Sequence, residues 1–141
     1  MPYARILLPM DGSEHARLAL RHAVNLARCG GTGHVVLMHS FGEIPALIGG
    51  EPREELVREC TQEAEAMLAE PRALLDELGV PNSVRIVDGA PGRAVVRVCD
   101  EEGCDTIVMG SRGLGELGGM IMGSVTHQVL QLAKVPVLVV R

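Results

Sequence analysis

Residues 105–126 read DTIVMGSRGLGELGGMIMGSVT: an apolar run, a glycine-rich stretch and the start of a segment with helical periodicity. The run Thr106–Met109 predicts a buried strand, and the segment from Val125 to Ala133 predicts a helix. Glycines let backbone N–H groups approach an anion closely, and a helix N-terminus adds unpaired donors with partial positive charge. A strand, a glycine-rich loop and a helix in this order favour phosphate binding.

Two familiar phosphate-binding loops do not describe this stretch. The chain contains no Gly-Lys pair, which a Walker P-loop requires. Gly113, Gly115 and Gly118 fit the spacing G-x-G-x-x-G, but that fingerprint belongs to the first strand–helix turn, and these glycines follow the fourth predicted strand. For such a loop taken alone, a flexible connection without a ligand is the alternative interpretation.

Outward from this stretch, apolar runs alternate with helical patterns along the whole chain. Five runs rich in Val, Ile and Leu predict strands buried on both faces, at Ala4–Met10, His34–His39, Ser83–Asp88, Asp105–Gly110 and Pro136–Val140. Helices are predicted over Ser13–Cys29, Glu51–Leu78, Pro91–Glu102 and Gly123–Ala133. This alternation predicts a single α/β doubly wound domain over residues 1–141, with a parallel sheet and helices on both faces.

Two residues predict where the first helix begins and where the second is interrupted. Ser13 is the expected N-cap of the first helix, because its hydroxyl can accept a hydrogen bond from the first turn. Pro71 lies inside the second helical pattern and is expected to kink or split it.

Composition excludes several classes of function. The 141 residues carry a formal charge of −5 and only 1% aromatic residues, which argues against nucleic-acid binding. The four cysteines show neither C-x-x-C nor zinc-finger spacing and are interpreted as reduced structural thiols. A signal peptide and a membrane-spanning run are not recognisable, so we expect a cytoplasmic protein that does not bind membranes.

The roles of one aspartate, three histidines and one loop are interpreted from their positions in the predicted elements. Asp11 follows the first strand and faces a ligand in one interpretation, while it only caps the following turn in the other. His39 is interpreted as a packed strand residue, and His15 and His127 as solvent-facing helix residues. Residues 41–50 form a loop over the core, or else a mobile flap or a partner surface.

These features together resemble the universal stress protein family, specifically its ATP-binding branch. The resemblance extends from the opening Ile6–Ser13, ILLPMDGS, to the ending Val135–Val140, VPVLVV. Its most specific part is the motif Gly-x2-Gly-x9-Gly-Ser/Thr, which Gly110, Gly113, Gly123 and Ser124 match completely. The resemblance implies a five-stranded parallel sheet in the order 3-2-1-4-5.

The resemblance also implies an adenine nucleotide site, with ATP and Mg²⁺ or Mn²⁺ as the expected ligands. Its residues would be Pro9, Asp11, Ser40, Gly110, Ser111, Arg112, Gly113, Gly123, Ser124, Val125 and Thr126.

Each of these residues has an implied role. Pro9 and the backbone of Ser40 would border the adenine, and Asp11 would face the ribose or bind the metal. Gly110 and Gly113 would let the loop wrap the nucleotide, with Ser111 between them. Gly123 and Ser124 would bind the phosphates, with contacts continued by Val125 and Thr126 and charge added by Arg112.

As a function, the resemblance implies a nucleotide-dependent switch or sensor in the stress response. It also implies a homodimer formed through the strand at 135–140. A binder of AMP or cyclic AMP, and a dimeric interaction module that works without nucleotide, are the alternatives. The sequence offers no evident general base, so any ATP hydrolysis is expected to be slow.

Overall fold

The structure is a computed structural model that describes residues 2–111 and 123–141, and in it strands and helices alternate as predicted. The strands are β1 Arg5–Pro9, β2 His34–Ser40, β3 Asn82–Val87, β4 Thr106–Gly110 and β5 Val137–Val140. The helices are α1 Glu14–Cys29, α2 Gly50–Glu77, α3 Pro91–Glu102 and α4 Ser124–Leu132.

The five strands form one parallel sheet in the order β3-β2-β1-β4-β5, which confirms the predicted order. The chain winds from β1 outward through β2 to β3, and then crosses to β4 on the other side of β1. The carboxyl ends of β1 and β4 therefore flank the point where the winding changes direction, which is where doubly wound sheets bind ligands.

Helices cover both faces of the sheet, because alternate residues of each central strand are buried on opposite sides. Ile6 and Leu8 of β1 pack with α1 and α2, while Leu7 packs with α3 and α4. All three side chains are fully buried. This burial explains why the strands read as continuous apolar runs rather than as alternating ones.

Two helices show how local signals and packing combine. Ser13 is the N-cap of α1, and its Oγ accepts a hydrogen bond from the Ala16 N–H at 3.2 Å, as predicted. The prediction for α2 was wrong in part, because Pro71 lies inside a continuous helix and does not split it. Leu68, Pro71 and Leu75 are all buried, and this packing offsets the cost of roughly 3 kcal/mol that an internal proline carries.

A polar network ties the strands together on the side of the sheet away from the carboxyl ends. The Glu102 carboxylate accepts hydrogen bonds from Arg5 of β1 at 2.9 Å and from Arg85 of β3 at 2.8 Å. The Arg85 hydrogen bond is the main reason why the pKa of Glu102 is lowered. His34 of β2 lies 2.8 Å from the Ser83 hydroxyl, and burial is the main reason why its pKa is lowered.

Within the part of the chain that the structure describes, no helix is both long enough and apolar enough to cross a bilayer.

Of the four cysteines, Cys99 and Cys104 are buried, Cys60 is half-buried and Cys29 is exposed, and all four are free thiols. Burial raises the pKa of Cys99 to about 11 and that of Cys104 to about 12, so both are protonated at neutral pH.

Candidate functional site

A cavity of about 340 Å³ lies at the carboxyl edge of the sheet, where β1 and β4 flank the change in winding direction. Its volume lies in the range of small-molecule sites, roughly 300–1,000 Å³. The walls come from the ends of β1, β2 and β4, the loop after β1, and the first turns of α1, α3 and α4. The lining residues are Pro9, Met10, Asp11, Ser13, Ala16, Met38, His39, Ser40, Pro91, Val95, Met109, Gly110, Val125 and Thr126.

The structure brings six of the eleven predicted site residues into the lining of this cavity: Pro9, Asp11, Ser40, Gly110, Val125 and Thr126. Three more lie beside it, because the Gly123 N–H donates to the Ser111 carbonyl at 2.6 Å and Ser124 follows as the first residue of α4. Arg112 and Gly113 lie outside the described residues.

The N-terminus of α4 meets the cavity at Val125 and Thr126. The N-cap residue is Gly123, whose lack of a side chain means that it cannot cap the helix itself. The Thr126 hydroxyl donates to the Gly110 carbonyl at 2.8 Å, which fastens the first turn of α4 to the end of β4. This arrangement places a helix N-terminus, with its partial positive charge, at one end of the cavity.

Asp11 serves the loop between β1 and α1 and also lines the cavity. Its Oδ1 accepts a hydrogen bond from the Ser13 N–H at 2.9 Å, so the turn-capping interpretation describes a contact that is present. The described residues contain no group of three or more His, Cys, Asp or Glu side chains able to hold a metal. A cation held by Asp11 would therefore need phosphate oxygens and water as further ligands, a set that Mg²⁺ commonly uses.

The remaining walls are mainly apolar. Met10, Met38, Val95 and Met109 provide most of this surface, and all four side chains are nearly or fully buried within the protein. At the end of β2, the Ser40 hydroxyl donates to the Gly89 carbonyl at 2.6 Å and accepts from the Gly42 N–H at 3.4 Å, so it already has partners within the protein. Apolar walls with a polar end suit a flat ring that carries an anionic group.

His39 is a lining residue that was expected only to pack. Its Nδ1 lies 2.7 Å from the Met10 carbonyl, and because a carbonyl can only accept, Nδ1 carries the proton. In the neutral ring, Nε2 is then an acceptor. The sequence could have predicted this location of His39, because it is the penultimate residue of β2 and the carboxyl ends of strands line such clefts.

His15 was expected to face solvent, and that prediction was wrong. It is half-buried, and its Nδ1 lies 3.1 Å from the Ser111 hydroxyl. A Cβ built on Gly110 would come within 2.6 Å of the His15 Cβ, so α1 approaches the end of β4 only because residue 110 is glycine. His127, by contrast, is exposed as predicted.

The loop at 41–50 lies outside the walls of this cavity. Arg53 of α2 donates to the carbonyls of Pro45 at 3.2 Å and Ile48 at 3.1 Å, and Gly42 pairs with Gly89. Leu47 at the tip is fully exposed. The flap interpretation of this loop stays a prediction.

Comparison with known proteins places the chain in a family. The family model described as "Universal stress protein family" matches residues 2–141. The chain belongs to the universal stress protein family. A universal stress protein from Thermus aquaticus is 35% identical over 140 residues, with 99% of each chain covered. Universal stress protein MJ0577 from Methanocaldococcus jannaschii is 33% identical over 155 residues, covering 99% of this chain and 95% of the relative.

Solved structures of universal stress proteins share the fold. The structure of MJ0577 superposes with a TM-score of 0.86 at 32% identity, covering 99% of this chain and 96% of the other. A universal stress protein from Archaeoglobus fulgidus in complex with dAMP has a TM-score of 0.74 at 26% identity, with full coverage of both chains. Another, in complex with cAMP, has a TM-score of 0.70 at 25% identity, covering 99% of this chain and 97% of the other.

Proposed function

We propose that this universal stress protein binds ATP together with Mg²⁺ or Mn²⁺ and acts as a nucleotide-dependent switch or sensor. The observation that carries the proposal is the cavity between the ends of β1 and β4, which meets the N-terminus of α4. Apolar walls would hold the adenine, and the N-terminal turn of α4 would hold the phosphates.

The residues have separate tasks in this proposal. Pro9 and the Ser40 backbone border the adenine, while Asp11 contacts the ribose or one divalent cation. The first N–H groups of α4, from Ser124 to Thr126, donate to phosphate oxygens. The cation, when bound, neutralises phosphate charge. Arg112 and Gly113 belong to the proposed site through the motif alone.

The solved relatives support an adenine nucleotide but leave its identity open. One is in complex with dAMP and another with cAMP, and both carry a single phosphate group. We therefore keep AMP or cyclic AMP as the second candidate ligand for this chain. Competition of each unlabelled nucleotide against labelled ATP would rank the three affinities directly.

Hydrolysis of ATP would be slow in this proposal. Of the described residues that line the cavity, Asp11 and His39 carry the side chains able to act as a general acid or base, and each already makes a hydrogen bond to the protein. Neither arrangement activates a water molecule on its own. A binding switch therefore fits the site better than a rapid ATPase.

A pair of substitutions at Val125 tests the site. Val125→Asp would place a carboxylate beside the phosphates, and at a distance of a few ångströms this repulsion is on the order of 1–4 kcal/mol. We expect affinity for Mg·ATP, measured by isothermal titration calorimetry, to fall by roughly tenfold or more. The fold should survive, because an acidic residue in the first turn favours the helix.

Val125→Asn is the matched control, since it has the same shape and loses the same apolar contact without adding charge. We expect the Asn variant to bind clearly more tightly than the Asp variant. Equal affinities in two variants with similar thermal unfolding would mean that the phosphates do not lie at α4, and the proposed site would be wrong.

A further inference from the structure

A second concave surface lies between α1 and α2, on the opposite side of the β1–α1 loop from the candidate nucleotide site. It encloses about 690 Å³. Its floor is apolar, with Met10, Leu20 and Pro71 all buried. Leu18 of α1 and Leu74 of α2 line it as well, although 37% and 38% of their surfaces remain exposed. We call this surface the α1–α2 groove.

The two walls of the groove carry opposite net charges, although Glu14 at the N-terminal end of the α1 wall offsets part of the positive charge there. Arg17 and Arg21 lie on the α1 side, and Glu70 and Glu77 lie on the α2 side. All four side chains are exposed. Across residues 2–111 and 123–141 none of the four forms an ion pair, whereas the ion pairs present involve Arg5 and Arg85. The groove therefore has an apolar floor between an α1 wall of net positive charge and an α2 wall of negative charge.

We propose that the α1–α2 groove binds an amphipathic helix of a partner protein. The helix would lay an apolar stripe on the floor, with acidic residues facing Arg17 and Arg21 and basic residues facing Glu70 and Glu77. Complementary charges on both sides of a stripe define how such a helix sits in the groove.

The secondary structure of the groove favours a helix as its occupant. Nearly all of its lining residues belong to α1 and α2, whose backbone N–H and C=O groups are used within the helices. An added strand would find no backbone partners there, while a helix brings its own hydrogen bonds. Arg28 donates to the Leu78 carbonyl at 2.9 Å and holds the C-terminal ends of the two helices together.

The charges also distinguish a helix from a membrane surface. Anionic lipid headgroups would be attracted to Arg17 and Arg21 but repelled by Glu70 and Glu77 on the opposite wall. A helix with one acidic and one basic flank meets opposite net charge on both sides, and Glu14 at the N-terminal end of the α1 wall is the like charge that its acidic flank has to avoid. The proposal does not require a nucleotide, although Met10 and Ser13 line both the groove and the nucleotide cavity.

Three synthetic 18-residue helical peptides test the proposal. All carry the same leucine stripe and a fluorescein label, and their flanks are Glu on one side and Lys on the other, Glu on both sides, or Lys on both sides. By fluorescence anisotropy with the full chain, we expect the mixed peptide to bind roughly tenfold more tightly than either uniform peptide, because each uniform peptide brings like charges together on one wall.

The double variant Arg17→Glu/Arg21→Glu makes both walls acidic and should reverse this preference. We expect it to bind the Lys-flanked peptide most tightly and to lose affinity for the mixed one. Arg58→Glu/Arg72→Glu is the control, since it changes net charge equally at exposed positions outside the groove. Equal binding of all peptides, no binding to the unmodified protein, or the same effect from both double variants would overturn the proposal.

Discussion

Besides the role proposed for it in the nucleotide site, Gly110 has a packing role against α1. An added Cβ would lie 2.6 Å from the His15 Cβ and 2.8 Å from the His15 carbonyl carbon, so the backbone of α1 or of β4 would have to move. We expect Gly110→Ala to lower the free energy of unfolding by about 1–3 kcal/mol, the usual cost of overpacking. Urea unfolding of the purified protein measures this change.

Gly49→Ala is the control for Gly110→Ala. Nothing lies within 4 Å of a Cβ at residue 49, and its φ of −130° is accessible to any residue. This variant should cost clearly less than Gly110→Ala. If Gly110→Ala is as stable as the unmodified protein, then α1 does not pack on the end of β4 as described.

The surroundings of Gly110 show which features of the site could be predicted from the sequence and which could not. Asp11 and Gly110 could be placed at one edge from the sequence, because the carboxyl ends of parallel strands share an edge. The half-buried position of His15 could not be predicted, since it depends on the distance between α1 and β4. Helical spacing alone put His15 beside the apolar stripe of α1, where a solvent-facing side chain is the usual outcome.

His34 joins the starts of β2 and β3, and its lowered pKa predicts that the stability of the fold depends on pH. Burial, followed by the positive charge of Arg5, lowers the pKa of His34 below its usual 6.5. The unfolded chain therefore binds a proton at a higher pH than the folded protein does. Stability is fully present above pH 6.5 and falls as the pH drops through that value.

We expect the free energy of unfolding to be lower at pH 5.5 than at pH 7.5, as measured by urea titration at both values. His34→Gln, which can still bond to Ser83, should reduce this difference. His127→Gln changes an exposed histidine and should leave the difference as it is. An unchanged pH dependence in His34→Gln would mean that another group is responsible.

The elements themselves were largely predictable, because strand and helix periodicities differ and neither depends on distant contacts. All five strands and four helices occur close to their predicted bounds. The error at Pro71 has a physical cause. The rule that proline breaks a helix considers only the lost backbone hydrogen bond. It does not include the free energy gained when Leu68 and Leu75 are buried in the core.

β5 is an edge strand of the sheet, and its pairing with a second copy stays a prediction. Leu138 is 39% exposed, and its neighbours Val137 and Val139 are half-buried. Unpaired edge strands with apolar side chains are suited to pairing. We expect light scattering at micromolar concentration to give twice the mass of one chain.

Leu138→Glu should shift this mass towards that of one chain, because a charge would be buried at the proposed contact. Leu47→Glu introduces the same charge at a fully exposed leucine away from β5 and should not change the mass. A monomeric unmodified protein would contradict the dimer. A dimer that tolerates Leu138→Glu would contradict the proposed contact through β5.

The aliphatic core has an optical consequence. Both faces of the sheet are packed with Val, Leu, Ile, Ala and Met, and the whole chain contains one tyrosine and no tryptophan. The protein therefore absorbs little ultraviolet light near 280 nm. An adenine carried through purification would dominate the spectrum near 260 nm, so that a single absorbance scan of the fresh protein would reveal it.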